Sequence, residues 1–291
     1  MAVTIGSMPD DMSALSGYVQ RLRSETGREC GIHRQTGAWW IGMLQLLHFS
    51  DCHLFADPRG KLYGVDAARR LAATLATAQT QAAACQMAII TGDLTQEGES
   101  GAYALAADMF ACLKIPVYAV PGNHDRSAGM RKLLTGHPIA CRRSVVVAGW
   151  HLIFLDTTLP DPQDPSGRIT AKALSELEAM LTAQSGMPTL IAFHHQPVWL
   201  DTPWMNPMAL ANPADLFRVL ALHPWVRCIL FGHIHYPFDG EHQGVRLLSA
   251  PSTCVQFARK TAQPVFVTDT TGYRWVRLYP DGCLQTGVVW V

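Results

Sequence analysis

Residues Leu44–His53 read LQLLHFSDCH: an apolar run, a polar stop at Ser50, then two side chains able to bind a metal, Asp51 and His53. The same arrangement recurs four times. Gln86–Thr91 halts at Gly92-Asp93, and Pro116–Val120 runs into Gly122-Asn123-His124-Asp125. Thr189–Phe193 ends at His194-His195, and Val226–Phe231 ends at Gly232-His233-Ile234-His235. Helix-like stretches lie between and around these runs at Asp66–Gln81, Gly101–Cys112, Ala171–Ala183 and Pro213–Leu222. Short buried strands alternating with helices predict an α/β fold. In open α/β sheets ligands bind beyond the carboxyl ends of strands. If these five runs are neighbouring strands, their polar ends converge on one patch.

Working outward, Ser144–Val147 and Trp150–Leu155 read as an antiparallel pair around Gly149. Arg246–Ala250 and Val265–Thr268 are strand-like, and Gly272–Tyr279 with Cys283–Val291 forms a closing hairpin around Asp281-Gly282. Residues 1–42 differ: they are polar, mixed in charge and weakly periodic. They are expected to form an extension outside the core, with a short helix near Met12–Ser24 and the working start of the protein at Met43. The globular domain is expected over 43–291.

The chain has 291 residues, of which 48% are hydrophobic and 16% charged, enough for a sizeable core. Lys plus Arg and Asp plus Glu balance at 23 each. A nucleic-acid or polybasic membrane binder usually carries a basic excess, so neither partner is expected. No stretch has the ~18 apolar residues of a membrane span. The N-terminus shows no secretory pattern. The eight cysteines form no C-x-x-C pair, and scattered thiols fit a reducing compartment. These features place the chain in the cytoplasm, with its oligomeric state left open.

The convergent patch holds Asp51, His53 and His235 on one side and Asn123, His194 and His233 on the other. Asp93, with two oxygens, is suited to bridge them. Such a mixed N/O set suits Mn²⁺, Fe²⁺ or Zn²⁺, and two ions can share a hydroxide and grip a phosphoryl oxygen. Five such blocks in this order, each after an apolar run, make coincidence a poor explanation. His33, His137, His151, His223 and His242 follow no such pattern and are expected on the surface or in the core. His48 is expected to be packed within the first strand, while His195 faces either the site or the core. Trp199 and Trp204, in a Pro-rich loop, are candidates to overhang the site.

With its order D-x-H, G-D, G-N-H-D, H, G-H-x-H, the chain resembles the calcineurin-like metallophosphoesterases from about Leu44 to its C-terminus. Within them it is most similar to the bacterial class III 3′,5′-cyclic AMP phosphodiesterases. Leu46–Phe55 (LLHFSDCHLF), Thr91–Gln96 (TGDLTQ) and Leu247–Phe257 (LLSAPSTCVQF) carry that similarity. Gln196 stands where many relatives have Pro. The resemblance implies a single-domain, four-layer β-sandwich flanked by helices and a hydrolase that converts cyclic AMP to 5′-AMP. It implies one ion, iron or manganese, with zinc also possible, on Asp51, His53, Asp93 and His235, and a second on Asp93, Asn123, His194 and His233. His124 would protonate the leaving oxygen, and Asp125 would orient or charge His124. Substrate would contact His53, Asp93, Asn123, His124, His194 and His235.

Overall fold

The computed structural model describes residues 42–291; the helix expected near Met12–Ser24 lies outside them. Sixteen strands run in chain order: β1 (Leu44–Phe49), β2 (Lys61–Leu62), β3 (Val65–Asp66), β4 (Met87–Thr91), β5 (Val117–Val120), β6 (Ile139–Ala140), β7 (Ser144–Val147) and β8 (Trp150–Phe154), then β9 (Thr189–Ala192), β10 (Val226–Phe231), β11 (Phe238–His242), β12 (Val245–Ser249), β13 (Gln256–Phe257), β14 (Phe266–Val267), β15 (Gly272–Leu278) and β16 (Leu284–Trp290). The helices are α1 (Ala67–Ala82), α2 (Ser100–Phe110), α3 (Ser127–Leu133), α4 (Ala171–Ala183) and α5 (Pro213–Leu220).

Two six-stranded sheets result, ordered β16-β15-β1-β4-β5-β6 and β11-β12-β10-β9-β8-β7. Each has a parallel centre, β1-β4-β5-β6 in one and β12-β10-β9-β8 in the other. Antiparallel strands close the edges: β15 and β16 on the first sheet, β11 and β7 on the second.

Alternation along the strands decides which side chains meet. In β1, Leu44 and Leu46 point into the sandwich, while Leu47 and Phe49 point out. Leu44, Leu46, Met87, Ile89 and Leu278 of the first sheet pack on Trp150, Leu152, Leu190, Leu230 and Leu248 of the second. On the outer face of the first sheet, Leu71 and Leu75 of α1 and Tyr103 and Ala106 of α2 cover Phe49 and Ile90. On the second, Leu177 and Leu181 of α4 and Leu216 and Phe217 of α5 cover Ile191 and Phe231. The layers are therefore helix, sheet, sheet, helix, in one domain. Asp66 caps α1 by accepting from Arg69 N at 2.9 Å, and Thr170 caps α4 by accepting from Ala173 N at 3.1 Å.

His48 is buried between the sheets, its Nε2 2.8 Å from Thr91 Oγ1. The two-residue strands β2, β3, β6 and β13 are too short to show in the sequence, and two longer elements also went unread. β11 reads FDGEH, too polar to signal a strand, because it is a half-exposed edge. α3 has seven residues, too few for helical periodicity to show. Cys52, Cys85, Cys112, Cys141, Cys228 and Cys254 are free thiols. Cys283 is disulfide-bonded, a departure from the reading of all eight cysteines as scattered thiols.

Leu152 is fully buried between the sheets. Leu152→Ala should therefore cost about 2–5 kcal/mol in urea unfolding. A cost below about 1 kcal/mol would mean the two sheets do not share a sealed core.

Candidate metal centre

β1, β4, β5, β9 and β10 all present their carboxyl ends on one edge of the sandwich. The chain turns sharply as it leaves them. Asp51 (φ 55), His53 (φ 49), Asp93 (φ 49), His233 (φ 70) and His235 (φ 53) all occupy the left-handed region, which is costly for residues other than glycine. Surrounding bonds hold them there. Asp51 N donates to Gly92 O at 3.1 Å, and His53 N donates to Asp93 O at 2.9 Å. His233 N donates to the Asp51 carboxylate at 3.1 and 3.2 Å.

The side chains form two adjoining groups. Asp51, His53, Asp93 and His235 are buried with their ligand atoms within 4.8 Å of one another. His53 Nε2 lies 3.0 Å from His235 Nε2 and 3.6 Å from Asp93 Oδ2, and His235 Nε2 lies 3.4 Å from Asp51 Oδ1. In the second group His194 Nε2 lies 3.3 Å from Asp93 Oδ2, 3.1 Å from Asn123 Oδ1 and 3.2 Å from His233 Nδ1. Asp93 Oδ2 thus faces an imidazole of each group.

The imidazole tautomers are fixed from behind. His53 Nδ1 donates to Gln96 Oε1 at 2.7 Å, His194 Nδ1 to Thr91 O at 2.7 Å, and His235 Nδ1 to Val255 O at 2.6 Å. These oxygens only accept, so each Nδ1 carries a proton; in the neutral His53 and His235 the Nε2 turns a bare lone pair inward, while His194 carries a second proton on Nε2 between Asp93 Oδ2 and Asn123 Oδ1. Two such lone pairs oppose each other at 3.0 Å between His53 and His235. Nothing in a neutral pair holds that contact together, whereas a cation in reach of both does. The donor set therefore fits divalent metal ions.

Burial, opposed by Asp93, lowers His53 to about 4, and burial also holds His233 and His235 well below the usual imidazole value. All three are held in the neutral form that a metal requires. Burial pulls His194 down too, but the carboxylates of Asp93 and Asp51 outweigh it and raise His194 to about 9. Burial raises Asp51 to about 7. Asp93 is driven the other way: burial favours its acid form, but His194, His124 and His53 keep it well below the carboxylate range.

His124 stands at the rim, half-buried. Its Nδ1 donates to Gln96 O at 3.0 Å, its backbone N donates to Asp93 Oδ1 at 2.9 Å, and its ring meets His53 edge-on at 4.9 Å. Asp125 does not take the place expected for it. Its carboxylate accepts from Leu94 N, Thr95 N, Thr95 Oγ1, Tyr103 OH and Gly122 N at 3.0–3.2 Å. It clasps the Asp93 loop to the Asn123 loop, and Gln96 O supports His124 instead.

His195 joins His194 and His233 in a group whose ligand atoms lie within 4.8 Å of one another, a place the sequence had left open between site and core; its ring is 4.9 Å from His194 and 4.8 Å from His233, and its Nδ1 is 2.7 Å from Thr157 Oγ1. Trp199 is 82% exposed and lines a groove of about 730 Å³ with Phe217 and His242, away from the ligands. Trp204 reaches the site only through Phe257, ring to ring at 5.1 Å. His137, His151, His223 and His242 join neither group; His33 lies outside the described residues.

Sequence reasoning missed the residues behind the ligands. Gln96 supports both His53 and His124. Ser252 Oγ donates to Asp51 O at 2.8 Å, Thr253 N donates to Ser50 O at 3.1 Å, and Phe257 stacks on His235 at 4.0 Å. The available signal was the run Leu247–Phe257, whose similarity lay outside the ligands; it buttresses them.

An α/β/β/α sandwich with paired Asp/His clusters at its strand ends defines a metallophosphoesterase. The family model "Calcineurin-like phosphoesterase" matches residues 44–237, and the chain belongs to that family. It is 35% identical over 256 residues to the 3′,5′-cyclic adenosine monophosphate phosphodiesterase CpdA of Pseudomonas aeruginosa, covering 88% of this chain and 93% of that one. It is 32% identical to CpdA of Escherichia coli K12, covering 84% and 89%. It is 30% identical to a 3′,5′-cyclic-nucleotide phosphodiesterase of Nostoc, covering 84% and 91%. Among solved structures, a dimetal phosphatase from Danio rerio shares the fold at TM-score 0.57 and 16% identity, covering 80% of this chain and 95% of that one.

Two outcomes are expected. Gly92 has φ +92, and a Cβ there would stand 2.4 Å from His194 Nδ1 and 2.8 Å from Gly122 N. Gly92→Ala should lower stability by at least about 1 kcal/mol and weaken metal binding about 10–100-fold, read by calorimetric titration; wild-type affinity would show that the turn is not under this constraint. In metal-free protein His194 keeps its proton until pH rises through about 9. Metal added at pH 7 should therefore displace a proton, and affinity should climb toward pH 9 and then level. Binding heats independent of buffer ionisation enthalpy at pH 7 would contradict this.

Proposed function

We propose that this chain hydrolyses 3′,5′-cyclic AMP to 5′-AMP with two divalent metal ions. The observation that carries the reading is the buried donor set: His53 and His194 Nε2 face a shared Asp93 oxygen from two sides, and the bare Nε2 atoms of His53 and His235 oppose each other at 3.0 Å. The substrate class follows from the relatives, three of which carry cyclic-nucleotide phosphodiesterase names across most of their length. Asp51, His53, Asp93 and His235 would hold one ion, and Asp93, Asn123, His194 and His233 the other; iron or manganese suits the set, and zinc is acceptable to it. Such ions supply Lewis acidity and bring the pKa of water toward neutrality.

The chain's own residues supply the rest. Asn123 turns Oδ1 toward His194, which leaves its amide N–H groups for a phosphoryl oxygen. His124 commits Nδ1 to Gln96 O, so only Nε2 is free to meet substrate. To act as an acid it enters the reaction as the imidazolium and gives the Nε2 proton to the departing O3′. Water, after giving one proton to solvent, bonds through its oxygen to phosphorus as the P–O3′ bond breaks, and O3′ takes the His124 proton to leave as the hydroxyl of 5′-AMP. Asp125 contributes by holding the Asp93 and Asn123 loops in register. Balanced charge and the absence, among the described residues, of a helix able to cross a membrane agree with a small-molecule substrate. We place the reaction in the cytoplasm.

The test is product analysis on Mn²⁺-loaded protein given 3′,5′-cyclic AMP. Wild type should yield 5′-AMP, and His124→Ala should lose about 10²–10⁴-fold in turnover with its metal content unchanged. Asn123→Ala should lose metal and activity together. Cleavage of an aryl phosphodiester without 5′-AMP would retain the metal site and reject the substrate; cleavage of neither would reject the enzyme reading.

A further inference from the structure

A row of aromatic rings leads from the metal centre to the surface. Phe257 lies flat on His235, at 4.0 Å and 3° between ring planes. Phe266 meets Phe257 at 5.6 Å and 62°, and Trp204 meets it at 5.1 Å and 61°. Tyr63 then stacks on Phe266 at 3.8 Å and 17°. Exposure rises along the row, from 4% at His235, through the half-buried Phe257 and Phe266, to 54% at Tyr63. The core rings Phe49, Phe110, Phe193 and Phe231 are fully buried, whereas Phe257 and Phe266 pack on the cores with part of their surface left open.

The backbone under Tyr63 is a second, independent sign. Tyr63 (φ 48) and Gly64 (φ 83) form the tip of the β2–β3 hairpin, both in the left-handed region. Such a tip favours Asn or Asp before Gly. A bulky aromatic ring there carries backbone strain and exposes apolar surface, and strain of this kind collects at functional sites. What the strain achieves is the placement of the Tyr63 ring on Phe266, which ties the β2–β3 hairpin to the β13–β14 hairpin.

We propose that Phe257, Phe266 and Tyr63 form the wall against which the nucleobase of the substrate stacks, and that this wall sets the preference for a purine. The proposal rests on the phosphodiesterase reading above. A phosphate placed between the two ligand groups has the wall on its His235 side, because Phe257 covers that ring. A planar base projecting from the ribose then has aromatic surface within a ring's width of the ligands. Base–aromatic stacking is tolerant of base identity but grows with ring area, so purines gain more than pyrimidines. Phe257 also steadies His235, whereas Phe266 and Tyr63 touch no ligand ring among the described contacts.

The test compares equilibrium binding of 5′-AMP and ribose 5-phosphate to metal-loaded protein by calorimetry, in wild type, Phe266→Leu and Tyr63→Ala. Both ligands present the phosphate, so their ratio reports the base. Wild type should bind 5′-AMP about 5–150-fold more tightly than ribose 5-phosphate. That ratio should fall severalfold in each variant, with metal content and ribose 5-phosphate affinity unchanged. Wild-type affinities within twofold of each other, or a ratio unmoved in both variants, would overturn the wall. A base-dependent ratio in a protein that fails to hydrolyse cyclic AMP would support the wall and reject the reaction instead.

Discussion

Everything at this site follows from crowding unlike partners and like partners into one dry place. Asp51, Asp93, His53, His194, His233 and His235 are all buried at the ends of apolar strands. Burying charge is expensive unless it is paired. Here the pairing is incomplete within the protein, since carbonyl groups hold the imidazole protons on the far side and leave lone pairs facing lone pairs. The structure has settled on an arrangement that only a cation completes. The left-handed turns, the glycines beside them and the supporting run Ser252–Phe257 all serve to keep that incomplete arrangement from relaxing.

Neither sheet makes the site alone. Asp51, His53, Asp93 and Asn123 come from the first sheet, His194, His233 and His235 from the second. Each of the two groups of side chains draws on both. The apolar seam from Leu46 to Leu230 therefore does more than stabilise the fold, because it sets the distance between the two halves of the centre. The clasp made by Asp125 plays the same part within the first sheet, fixing the β4 and β5 loops against each other.

Much of this was legible in the chain. Apolar runs stopped by ligand-type residues marked the five strands that matter, because a strand buried on both faces has to be apolar along its length and reserves its polar residues for its end. Helix α4 and strand β10 matched the read limits, and the closing hairpin and the β7–β8 pair were readable from their turns. What stayed hidden was second-hand chemistry. Backbone oxygens of Thr91, Gln96 and Val255 carry no side-chain signature, so the groups that orient His194, His124 and His235 could not be seen. The resemblance implied Asp125 as a partner for His124, but the turn sends its carboxylate backward into a ring of donors. His194 was picked over His195 by its place in the motif, three before Pro197; beyond the end of β9 the chain bends, turning His194 to Asp93 and His195 Nδ1 to Thr157.

The position of β1 has a consequence for how the molecule is made. Its central neighbours are β4, close behind it in the chain, and β15, near the end; Gln45 and Arg277, paired across that boundary, are 232 residues apart. Strand pairing over such a span is slow. During synthesis β1, which leads into Asp51 and His53, emerges well before β15, and its open edge has to wait until β15 has left the ribosome. The centre is thus assembled last, and a chain truncated before β15 carries every ligand residue but lacks the strand that frames the first of them.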